Sequence, residues 1–282
     1  MDKHPLLSKK IGAEVFFRKT FANIVFFSYL CGEFGKTAKT FNLNKSLMWL
    51  KDSSIGRKFI MSITGLFLVL FLLFHGSMNL CLVIDDIFGT TAYNWICAML
   101  GANWYAIIGT LVLALGVVVH FCYAIYLTIQ NRAARGNDRY AIEARQEGVD
   151  WESKNMLVLG IIVIGFLCLH LINFWYKMQW AELTGIETSM FDPQDGSAIV
   201  KGLFTGGWCG IIYCLLYIVW LCALWFHLNH GIWSALQTLG WSNLIWLKRI
   251  RVIGTIFATI AVGLFMIVVL YFLGVNIGMM IA

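Results

Sequence analysis

The sequence is poor in charge and in proline: 13% of its 282 residues are Asp, Glu, Lys or Arg and 2 are Pro, against 60% apolar residues. A soluble globular domain is about 25% charged and about 45–50% apolar, so the solvent this chain is built for is lipid. Its 8 cysteines include no C-x-x-C and no C-x-x-C-H. That excludes a cysteine zinc site, a thiol redox motif and covalent c-type haem attachment. Most of the cysteines fall inside apolar runs and read as small apolar side chains. Cys81 and Cys97 lie near one loop, where a disulfide between them is the alternative.

What is abundant is long apolar sequence. Five stretches, 57–84, 104–130, 156–176, 203–230 and 252–282, carry no Lys, Arg, Asp or Glu beyond the boundary pair Arg57 and Lys58. A bilayer core about 30 Å thick needs about 20 such residues per helical span. Each stretch therefore reads as a transmembrane helix, the one conformation in which a single segment satisfies its own backbone in hydrocarbon. The expected fold is all-α, an integral membrane bundle of five helices.

The connections set the expected orientation. The region through Lys58 holds eleven Lys and Arg, residues 131–155 hold five and Lys248–Arg251 adds three, whereas the first connection has none and the third has two, Lys177 and Lys201. This alternation predicts a cytoplasmic N-terminus and an external C-terminus in the inner (cytoplasmic) membrane. The net charge of +6 is then topology and lipid headgroup contact, with no role for nucleic acid. Residues 1–47 stand apart from 48–282, the membrane domain. The apolar run from Phe16 to Leu30 is too short to span beside Arg18 and Lys19, and it is too deep for a secretory signal. The expectation is either an interfacial amphipathic helix or an upstream extension with Met48 as the start, with the second preferred.

His75, His120, His170 and His227 each lie within a different one of the first four stretches, and the fourth stretch also ends on His230. An ionisable group inside lipid is expensive, and any single one reads as readily as a helix-packing histidine. Depth sorts them jointly. His75, eighteen residues after Arg57, and His170, fourteen after Met156, lie on outward-going helices and belong to the outer half. His120, sixteen after Trp104, and His227, twenty-four after Leu203, belong to the inner half of inward-going helices. Two imidazoles facing each other with no carboxylate or thiolate between the spans suit a six-coordinate haem iron. Zinc wants three or four ligands together, and proton-relay transporters usually add Asp, Glu or Lys. His230, one turn from His227, is better placed for a propionate or headgroup, and His4 carries no signal.

These residues resemble the cytochrome b subunit of succinate dehydrogenase and fumarate reductase in its five-helix, di-haem form. The resemblance covers roughly Met48 onwards and is carried by Ser62-Ile-Thr-Gly65 and His75, His120-Phe-Cys-Tyr-Ala-Ile-Tyr, His170, and His227-Leu-Asn-His-Gly231-Ile-Trp-Ser. It implies two haem b groups, an outer one on His75 and His170 and an inner one on His120 and His227. Gly231, four residues after His227, matches the family and selects His227 over His230 as the fourth ligand. Ser62 matches a residue that bonds a haem propionate in relatives. Trp225 stands where some di-haem fumarate reductases carry a glutamate implicated in transmembrane proton movement, so the resemblance does not extend to that route.

The resemblance further implies a respiratory complex. A soluble flavoprotein interconverts succinate and fumarate, an iron–sulfur subunit relays electrons, and this chain anchors both at the cytoplasmic face and exchanges electrons with membrane quinone, usually menaquinone in di-haem members. A dimer of complexes is compatible with it. Direction of catalysis and the quinone site stay open; Asn79, Asn103, Trp104 and Tyr176 read as interfacial anchors. Two other readings remain: a di-haem cytochrome b of a hydrogenase or formate dehydrogenase, and a histidine-dependent transporter.

Overall fold

In a computed structural model, residues 53–135, 151–241, 243 and 245–282 are described. The expectations for residues 1–47 fall outside them. Apolar sequence without breakers winds into long helices because nothing else in lipid pairs every backbone N–H and C=O. The first span is α1, Ser54–Phe88. A short helix α2, Ala92–Leu100, precedes the second span α3, Trp104–Arg135. The third begins as α4, Trp151–His170, widens into a π-helix at Leu171–Trp180 and ends as α5, Ala181–Thr184. Then come the short α6, Gly196–Phe204, the fourth span α7, Gly207–Leu236, and the fifth, α8, Trp246–Ile281. Among the described residues the fold is all-helical, and five helices are long and apolar enough to cross a membrane. The chain is thus a multi-pass membrane protein.

Most helices run past the apolar stretches, α1 to Phe88, α3 to Arg135, the third span from Trp151 and the fifth from Trp246, and two boundaries differ in a way that bears on the connections. The fourth span starts at Gly207, not at 203: Leu203 and Phe204 belong to α6, whose start is capped by the Asp195 carboxylate accepting from Ala198 N–H at 3.0 Å. The third span runs on through Lys177 to Thr184. Helices stop where a left-handed residue folds the chain back. Gly89 (φ 69°) and Gly185 (φ 66°) take that conformation and return their N–H groups to Asp85 and Ala181 at 2.8 Å.

Cross-helix contacts fix the register. Arg57 Nη1 donates to Gln130 Oε1 at 2.6 Å, and farther along, Thr64 meets His120, so α1 and α3 are antiparallel. On α7 and α8, Trp225 bonds Thr259 and Asn229 bonds Thr255, also antiparallel. Asn229 also donates to Glu152 at the start of α4. Arg57, Gln130, Glu152 and Thr255 therefore share one end of the bundle, the Arg57 end. At the other, Lys201 pairs with Asp86, which also accepts from Tyr271 at 2.8 Å; this is the Asp86 end.

The tightest packing joins α7, α8 and α1, around Cys214, Leu221, Leu228, Ala258, Val262 and Phe272. No described side chain of α3 is fully buried. The fifth span thus buttresses α1 and α7, and among the histidine-bearing spans α3 packs most loosely.

Candidate functional site: two stacked histidine pairs

The four histidines fall on α1, α3, α4 and α7. Packed neighbours among these helices are α1 with α3, α1 with α7, α4 with α7 and α3 with α4. The histidines meet across the diagonals instead. His75 on α1 faces His170 on α4, ring centres 5.9 Å apart and planes at 87°. His120 on α3 faces His227 on α7 at 6.4 Å and 74°. The structure therefore forms the two pairs read from the sequence, and it pairs His227 rather than His230 with His120. The His230 ring lies edge-on to Trp233 at 5.0 Å.

The pairs are stacked. Thr64, at His120, precedes His75 by eleven residues on α1, which is about 16 Å at 1.5 Å per residue. Gly160, whose added Cβ would lie 3.7 Å from His227 Cε1, precedes His170 by ten residues on α4, about 15 Å. Two helices thus give the same spacing, with the His120–His227 pair nearer the Arg57 end.

Their surroundings differ. Phe71 stacks on His75 at 5.2 Å and Phe265 lies 5.5 Å from it, while Phe174 and Trp220 lie 5.1 and 5.5 Å from His170. The His120–His227 pair has small neighbours: Gly65, whose Cβ would stand 3.3 Å from His120 Cε1, and Gly160. Thr64 Oγ1 lies 3.1 Å from His120 Nδ1. Nothing in the sequence marks that contact except the adjacency of Thr64 to Gly65. Nδ1 of His170 and of His227 is buried with no hydrogen-bond partner.

The ring separations would fit one metal ion between the two imidazoles of each pair. Imidazole–metal bonds of about 2 Å on both sides put the ring centres about 6 Å apart, close to both separations. Among the described residues no three His, Cys, Asp or Glu side chains converge. Cys81 and Cys97 are free thiols, and burial pushes the Cys97 thiol up to about 11.

Ser62 is 5% exposed, and its hydroxyl donates to Lys58 O at 2.9 Å. Trp225 Nε1 donates to Thr259 Oγ1 at 3.0 Å on α8. Asn79 donates to His75 O at 2.8 Å, and Asn103 is exposed and bonds Met99 O at 2.7 Å. The sequence reading passed over Arg57, whose Nε is buried without a partner while Nη1 holds Gln130. Comparison with protein-family models, curated proteins and solved structures found no match.

Proposed function

We propose that this chain is the di-haem cytochrome b subunit that anchors a succinate:quinone oxidoreductase in the inner membrane, passing electrons between an iron–sulfur subunit and quinone, menaquinone by resemblance. The observation that carries the reading is the pair of imidazole–imidazole contacts across the bundle diagonals, two ligands at each of two levels. His75 and His170 hold the outer haem iron, and His120 and His227 the inner. Held by one histidine pair each, the haems would supply one-electron storage and transfer. The basic Arg57 end faces the cytoplasm, where the flavoprotein and iron–sulfur subunits dock. There the partnerless Nε of Arg57 offers a donor to an inner haem carboxylate. Ser62, which now donates to Lys58 O, would have to turn its hydroxyl from that carbonyl to donate to a propionate. The aromatic rings around His75 and His170 keep water from the outer level.

The test is a pyridine haemochrome assay against protein mass on the purified complex, with the expected value two protohaems per chain. A ratio near one would break the pairing scheme, and zero would remove the cytochrome reading in favour of a transporter. Membranes given succinate, hydrogen or formate then separate the partners. Succinate should reduce the haems; reduction by hydrogen or formate alone would assign the chain to a hydrogenase or formate dehydrogenase.

A further inference from the structure

Of the two histidines at the Arg57-end level, His120 has a bonded ring nitrogen where His227 Nδ1 has none. Thr64 Oγ1 has three polar neighbours: Ile60 O at 2.8 Å, Met61 O at 3.2 Å and His120 Nδ1 at 3.1 Å. A hydroxyl has one proton and two lone pairs. Both carbonyls are acceptors, so the proton goes to its own helix, as threonines in helices commonly arrange. The histidine contact then runs the other way, with Nδ1–H donating to Oγ1. This assigns the tautomer. Nδ1 carries the proton and Nε2 carries the ring's lone pair. Gly65 adds a steric grip, because the backbone of α1 lies against the Nδ1–Cε1 edge of the ring and a Cβ there would stand 3.3 Å from Cε1.

We propose that Thr64 is a positioning residue for the inner level: by accepting from His120 Nδ1 it fixes that ring with Nε2 presented as ligand, and it makes the two haems electronically unequal. The inference rests on the di-haem reading. A hydrogen bond from the far nitrogen of a metal-bound imidazole raises the ligand's basicity and favours the more oxidised metal. The inner haem's potential is therefore held lower than the same ligand pair would give without Thr64.

The experiment is a potentiometric titration of the purified complex, with low-temperature electron paramagnetic resonance of the oxidised haems, for the parent, Thr64→Val and Thr64→Ser. Haem is counted first; a parent without haem overturns the cytochrome reading and this proposal together. With two haems in the parent, Thr64→Val should raise the inner potential, move the inner low-spin signal and leave the outer haem unchanged. Thr64→Ser should restore both readouts. Thr64→Val with two haems and unmoved potentials would overturn the proposal alone. If Thr64→Val loses the inner haem, Thr64→Ser must keep it at the parental potential, and a serine variant that behaves like valine overturns the role of the hydroxyl.

Discussion

An imidazole buried in hydrocarbon gives up its water, and that costs free energy unless each ring nitrogen finds something to do. His170 and His227 each bury an Nδ1 that no protein group reaches, yet each ring sits opposite another histidine. On the proposed di-haem reading, each opposed pair would share one iron, which would give the facing rings a role beyond packing. The fourth span offers the sharpest discrimination, because His227 and His230 are three residues apart, with His227 opposite His120 and His230 edge-on to Trp233. His227→Ala should lose the inner haem selectively, leaving one haem per chain by haemochrome assay. His230→Ala should retain two, with at most a shifted potential. The reverse spectra would assign the fourth ligand to His230. This pairing was legible from sequence because depth in a membrane follows from residue counts along a helix of fixed rise. The Thr64 contact was not. It depends on the rotation of α1 against α3, to which residue counts are blind.

At the scale of elements, the five spans could be read because lipid imposes one solution on any long apolar run. Their ends could not, since helices continue beyond the hydrocarbon for as long as their terminal groups find partners. The π-helix after His170 belongs to the same class of surprise. Its wider turn carries two buried amides, and both are satisfied across the bundle. Asn173 donates to Tyr217 Oη at 3.2 Å, and Gln179 accepts from Thr110 at 2.9 Å while donating to Gly101 O at 3.1 Å. Close approach of α1 and α8 is another element-level feature, set by Gly76. A Cβ there would lie 3.0 Å from Leu264 Cβ and 3.2 Å from Phe265 Cε2, the ring that flanks His75. Gly76→Val should destabilise the protein by about 1–3 kcal/mol through overpacking. A thermal melt in detergent reads that loss, and the outer haem's absorbance should decay first. An unchanged melting curve would mean that α8 yields without cost.

At the scale of the whole molecule the open quantity is orientation, and here charge and fold combine. Nineteen Lys and Arg fall on the segments assigned inside and two, Lys177 and Lys201, on those assigned outside. The described bundle brings Arg57, Arg132, Lys154, Lys248 and Arg251 to one end, as the bonds from Arg57 to Gln130, Asn229 to Glu152 and Thr255 to Asn229 require. At the opposite end Lys201 is ion-paired with Asp86, so the bias exceeds the bare counts. Because translocation disfavours basic segments, the Arg57 end should be cytoplasmic and the helix end at Ile281 external. Reporter fusions after Gly89, Gly136, Asp195 and Lys248 should then alternate outside, inside, outside, inside. A cytoplasmic signal at Asp195 alone would overturn the five-span map, and reversal at all four sites would invert the whole bundle. That inversion would also place the His120–His227 level away from any partner docked at the cytoplasmic face, because that pair lies about 16 Å nearer the Arg57 end along α1. Orientation is therefore also a test of which haem receives electrons first.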